Sequence, residues 1–214
     1  MNKKFNMIIL ALLFLSFAIT LYFYPQIPDK MATHWNAKGE VNGYMQKFWG
    51  TFLIPLILTG MVLLFVLIPI IDPLKENIKK FRKYYNWFIV FFILFMLSIH
   101  SQVILWNIGI QISPNVIFTI GFGLLFFYIG ILSENSKRNW FIGIRTPWTL
   151  SSEKVWDKTH KIGGKLFKIA GIIAIIGIFF RNYAVFFILV PALSVVVYSV
   201  VYSYFEYRKE TNKE

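Results

Sequence analysis

Cysteine is absent from the 214 residues, which excludes a disulfide framework and a thiolate metal site. Carboxylates are scarce. Ten Asp and Glu stand against 22 Lys and Arg, a formal net charge of +12. No small-x-small cleavage site follows the first apolar run, so that run reads as a retained signal-anchor helix. No nucleophile elbow, phosphate-cradling glycine loop or two-histidine metal spacing accompanies the polar loops.

What is abundant is apolar sequence. Hydrophobic residues make up 57% and aromatic residues 19%, with a mean hydropathy of +0.60. A soluble domain averages nearer about 45–50% apolar. The excess falls into six runs: 5–24, 48–71, 87–106, 116–133, 166–180 and 183–205. About 20 apolar residues cross the hydrocarbon core as a helix, and in lipid only a helix or a closed barrel satisfies its own backbone. The expected fold is therefore all-α, a polytopic membrane protein of six transmembrane helices. Pro55 and Pro69 in the second run and Pro191 in the sixth predict kinks. Lys168, near an end of the fifth run, is placed to snorkel. Gly163, Gly164, Ala170, Gly171, Ala174 and Gly177 line one side of the same segment and suit close helix packing.

The cations fall in alternate loops. Eighteen Lys and Arg lie at the N-terminus, at 75–83, at 137–168 and in the tail, whereas Lys30, Lys38, Lys47 and Arg181 lie on the other side. The positive-inside rule then places both termini in the cytoplasm. It also reassigns the positive charge from nucleic acid to anionic lipids, so no direct nucleic-acid partner is expected. The chain divides into a helical hairpin at 1–71 with an outer loop at 25–47, a central hairpin at 72–133, and a module at 134–214 with an inner loop at 134–165.

The outer loop is longer than a connector needs. It carries His34, Trp35, Asn36 and Glu40, with turns signalled at Gly39 and at Asn42-Gly43. His34 with Asp29 and Glu40 is one possible divalent-metal set, and a histidine bonding its own turn is the other reading. The expectation is no metal and no cofactor, with Trp35 and Tyr44 at the membrane interface as part of an outward cap.

In the inner loop, residues 140–148 are too apolar for solvent and too short to span. Arg145 lies among them and, if buried, needs Glu153, Asp157 or a lipid phosphate. Thr149 or Ser151 is expected to cap a helix with Glu153 in its first turn. Trp156, His160 and the Gly163-Gly164 pair share a face of an interfacial amphipathic helix before the fifth span; the face continues at Phe167, so helix and span are expected to form one long element with the glycines as a bend. Glu153, Asp157 and His160 form a stripe that suits acid/base chemistry or, equally, structural salt bridges. His100 and Gln102, with Ser98 and Ser101, sit within the third span, where polar groups mark either function or an interhelical hydrogen bond.

Both loops resemble the bacterial SdpI-like immunity proteins. In the outer loop the likeness lies in the proline-rich entry and in His34, Asn36, Gly39 and Gly43, similar to a small domain of unknown function that precedes the immunity module. Asn42 stands where that pattern has aspartate, so no carboxylate is offered there. In the inner loop it lies in Asn139, then GIRTPWTLSSEKVW from Gly143 to Trp156 with Arg145, Thr146, Trp148 and Glu153, then Thr159, His160, Gly163 and Gly164. The resemblance implies a non-enzymatic membrane protein that protects a cell against a secreted toxin peptide. It also implies signalling, in which a cytoplasmic repressor protein is held at the membrane. The residues alone leave two other classes open: a small-solute transporter or channel around His100 and Gln102, and a membrane enzyme on lipid or cell-wall precursors around His160.

Overall fold

The computed structural model describes residues 3–212; Lys213, counted above with the tail, and the side chain of Arg181 lie outside that description. Eight α-helices follow in order among the described residues: α1 (Lys3–Phe23), α2 (Lys47–Ile71), α3 (Lys75–Lys80), α4 (Arg82–Asn107), α5 (Pro114–Asn135), α6 (Pro147–Ser151), α7 (Glu153–Ile176) and α8 (Ala184–Thr211). Six of them (α1, α2, α4, α5, α7 and α8) are long and apolar enough to cross a membrane. Two strands, β1 (Lys30–Trp35) and β2 (Val41–Gln46), pair antiparallel between α1 and α2.

The spans pack as two triplets. Helices α1, α2 and α4 contact one another, α5, α7 and α8 contact one another, and α4 against α5 joins the two groups. The joint is aromatic: Phe91 stacks on Tyr128 at 4.6 Å, and the Tyr128 hydroxyl donates to the Tyr84 carbonyl. The closest helix pair is α5 with α7. A Cβ on Gly164 would stand 2.7 Å from the Gly130 carbonyl oxygen, and one on Gly171 would stand 2.5 Å from that of Gly123. Without side chains there the backbones touch, which is how apolar helices gain dispersion energy in lipid.

The prolines of α2 show how the chain handles carbonyls that its own helix leaves unpaired. Pro69 has no N–H for the Phe65 carbonyl, and the Tyr85 hydroxyl donates to that oxygen at 2.9 Å instead. Pro55 frees the Thr51 carbonyl in the same way, and Thr20 Oγ1 reaches it at 3.4 Å.

The all-α plan holds, and the outer loop adds one short β-hairpin to it. Its first strand is docked by Asn107, whose side-chain amide donates to the Ala32 carbonyl at 2.8 Å and accepts from the Ala32 N–H at 2.7 Å. The amphipathic stretch and the fifth span form one long element, as expected, without a break at the glycines. Helix α7 runs unbroken from Glu153 to Ile176, because Gly163 and Gly164 are buried against neighbouring helices rather than released into a turn.

Candidate functional site at the basic end of the bundle

The segments 72–81 and 136–152 and the end of α8 meet at one end of the bundle, opposite the hairpin. Their polar side chains hold residues 136–146 rigidly without regular structure. Asn139 is fully buried and spends its whole amide on the loop. It donates to the carbonyls of Lys137 and Ile142, both at 2.8 Å, and accepts from the N–H groups of Phe141 and Ile142. Asp72 links this turn to the end of α2, accepting from Leu74 N at 2.6 Å and Trp140 N at 2.9 Å. Asn77 donates to the Arg138 carbonyl.

On the α7 side, His160 accepts the Ile144 N–H at Nε2, 2.8 Å away, and its Nδ1 lies 2.9 Å from the Trp156 carbonyl. A carbonyl only accepts, and an N–H only donates, so the imidazole is neutral with its proton on Nδ1. The ring stacks on Trp156 at 3.9 Å, and the indole N–H donates to the Ser136 carbonyl. Gly143 turns beside this pair at φ +117, where a Cβ would meet both rings.

On the α8 side, Thr146 caps α6 in a reciprocal box with Thr149 and lies 3.0 Å from the Ser203 hydroxyl. Trp148 packs edge-on against Tyr204. Ser152 caps α7 and donates to Glu210, while Lys158 and Lys209 both pair with the buried Glu206. At the rim of this end, Lys79 lowers the pKa of the exposed Glu76 carboxyl by donating to it.

Several sequence expectations change at this point. The caps are Thr146 and Ser152, not Thr149 or Ser151, although Glu153 does occupy the first turn of α7. Arg145 is exposed and pairs with neither Glu153 nor Asp157; its Nη1 donates to the Trp140 carbonyl at 2.9 Å. Glu153 faces Arg138 at 3.7 Å, and Asp157 faces Lys137 at 3.2 Å. The supposed acid/base stripe is thus split, since two exposed carboxylates pair elsewhere and His160 is buried with both nitrogens engaged. Lys168 does not simply snorkel, because it pairs with Glu134 of α5 at 2.8 Å. Asp72, Asn77, Ser203 and Glu206 were not singled out from sequence. Asp72 was detectable there: an Asp-Pro pair closing an apolar run marks a turn in which the carboxylate bonds the backbone two residues on.

The hairpin brings its expected residues together differently. His34 Nδ1 lies 2.6 Å from Asn42 Oδ1, so this histidine bonds within its own hairpin. Asn36 Oδ1 accepts from Lys38 N and Glu40 N, its amide donates to Glu40, and Gly39 makes the turn at φ +84. Gly43 faces His34 across the strands, closely enough that a Cβ would crowd the His34 side chain. Trp35 packs edge-on against Trp106 at 5.3 Å. No cluster of three metal-ligating side chains occurs among the described residues. Within the bundle, His100 Nε2 lies 2.9 Å from Thr20 Oγ1, an interhelical contact between α4 and α1, and Gln102 points to the Ile112 carbonyl at 3.5 Å.

Beneath the loop a cavity of about 530 Å³ opens between the two triplets. Phe65, Phe88, Leu132, Phe167, Val196 and Val200 line it, and Ile142 to Thr146 border its mouth at the basic end.

Fold and loop together define a multi-pass protein of the bacterial cell membrane, six spans closed at one end by an ordered polar loop. The SdpI/YfhL protein family matches residues 135–203, which hold that loop, α6, α7 and most of α8. A domain of unknown function, DUF1648, matches residues 11–59, which hold the hairpin and the adjoining parts of α1 and α2. Immunity protein SdpI of Bacillus subtilis (strain 168) is 27% identical over 207 residues, 96% of this chain and 97% of that protein. No solved structure matches. The chain is an SdpI-like protein.

Proposed function

We propose that this chain is a membrane immunity protein, protecting a bacterial cell against a secreted antimicrobial peptide. The observation that carries the reading is the 27% identity to an immunity protein along 96% of the chain, hairpin and inner loop included. The distribution of cations supports a basic end in the cytoplasm and a hairpin outside. The peptide is then met by the hairpin residues His34, Trp35, Asn36, Gly39 and Gly43, or within the bilayer. The inner loop braces the spans or reports occupancy. Asn139, Thr146, Trp156 and His160 hold its shape, while Arg145, Trp148 and Glu153 are the part that a cytoplasmic repressor protein would meet in the signalling step.

The reading is non-enzymatic, and the split of Glu153 and Asp157 away from the buried His160 supports it. The test is survival of a peptide-sensitive bacterium that expresses the full chain while challenged with the killing peptide of an SdpI-bearing strain. Protection at least tenfold above the empty vector is expected, and unchanged killing at good membrane expression overturns the reading. For signalling, a fluorescent repressor should move to the membrane on challenge only when this chain is present.

A further inference from the structure

We propose that the cavity between the two triplets is a binding site for an anionic phospholipid, with an acyl chain among the apolar helices and the phosphate on Arg145. The pocket is of ligand size, about 530 Å³ against a usual range of roughly 300–1,000 Å³. Both triplets contribute to its wall: Phe65 and Phe88 from one, Leu132, Phe167, Val196 and Val200 from the other. Its depth suits a lipid. Thr146, at the mouth, is level with Ser203 of α8, and Val196 lies seven residues deeper, about 10 Å at 1.5 Å per residue. The site therefore runs from the headgroup level into the acyl region.

The charge at the mouth chooses the headgroup. Arg145 belongs to the cavity lining and is exposed, and no carboxylate pairs with it among the described residues. One N–H donor is held by the Trp140 carbonyl, which aims the side chain. A guanidinium carries five donors, so four remain for phosphate oxygens, the geometry that arginine matches best. The surrounding end is rich in Lys and Arg and favours anionic lipid further. Ser133, Ser136 and Thr146 bring hydroxyl-bearing residues to the same rim.

The test uses the full chain purified in a neutral detergent and titrated with phosphatidylglycerol or phosphatidylethanolamine of identical acyl chains. Bound lipid is counted by native mass spectrometry. Phosphatidylglycerol should bind about tenfold tighter, because both lipids offer a phosphate but the ethanolamine ammonium offsets its charge and is repelled by Arg145. Arg145→Ala should abolish that preference, Arg145→Lys should restore part of it, and Lys161→Ala, on the same end but outside the cavity, should leave it unchanged. Val200→Trp, which fills the cavity, should weaken both lipids, with Val196→Phe as a milder version should Val200→Trp fail to fold. Three results overturn the proposal: a preference that survives Arg145→Ala, unaltered binding in the filled cavity, or equal occupancy by glycerol phosphate without chains. Displacement of bound lipid by a neutral apolar helical peptide, with no preference for phosphatidylglycerol, would assign the cavity to peptide instead and overturn it as well. None of these outcomes depends on immunity.

Discussion

The Ile144 N–H donates to Nε2 of His160 at 2.8 Å, and the opposite nitrogen of the same ring faces the Trp156 carbonyl of its own helix. A buried imidazole thus carries the backbone of an irregular loop onto α7. Ile144 sits between Gly143 and Arg145, so this contact fixes both the turn beside Trp156 and the direction of the arginine.

His160→Phe isolates that contact. Phenylalanine keeps a ring on Trp156 but removes the acceptor, and a donor left unsatisfied costs about 1–3 kcal/mol. Thermal unfolding of the purified protein in micelles should show the loss. If stability is unchanged, the Ile144 N–H has another partner and the loop is not held as described.

Gly143→Ala tests the turn. At φ +117 an alanine is strained, and its Cβ would press on His160 and Trp156. Backbone strain of this kind costs about 1–3 kcal/mol before the clash is counted. Gly109→Ala is the control: its φ is also positive, at +96, but nothing lies within 4 Å of the added Cβ. The Gly143 variant should lose clearly more stability than the control, as measured by unfolding midpoints. Equal losses would mean that the close approach to the ring pair contributes nothing.

Helix contact makes the third prediction. Gly171→Ala places a methyl 2.5 Å from the Gly123 carbonyl oxygen, so α5 and α7 must separate, at about 1–3 kcal/mol for an overpacked site. Gly60→Ala on α2 meets nothing within 4 Å and should be neutral or slightly stabilising, since alanine is the better helix former by about 1 kcal/mol. Unfolding of both variants in micelles checks this. A neutral Gly171→Ala would show that the two backbones are not in contact.

The six spans were readable because length and apolarity are local quantities, and the run at 48–71 became α2 at 47–71 almost unchanged. The fifth span was the least readable. Its first turns are charged on one side, so α7 starts at Glu153 while the apolar run starts at residue 166. The small residues at 163, 164, 170 and 171 did foretell tight packing, but not which helix supplies the opposing glycines. The hairpin was hidden because its first strand is docked by Asn107, 75 residues away from Ala32. The pairing of His160 with Ile144 was hidden for a similar reason. It needs the left-handed turn at Gly143, and a glycine in a sequence permits that turn without announcing it.

Orientation is the prediction on which the functional reading leans most, and a chain without cysteine is suited to test it. Lys38 lies exposed in the hairpin turn, and Lys154 lies exposed in the first turn of α7 at the opposite end. Neither side chain takes part in an ion pair among the described residues, so Lys38→Cys and Lys154→Cys should fold normally. With the basic end in the cytoplasm, a membrane-impermeant maleimide should label Lys38→Cys in intact cells and Lys154→Cys only after lysis. The reversed pattern would put the hairpin inside, beyond the reach of a secreted peptide, and the immunity reading would then have to route the peptide through the bilayer. Labelling of both positions in intact cells would mean that the number of crossings between them is even, against the three crossings by α2, α4 and α5 that the fold requires.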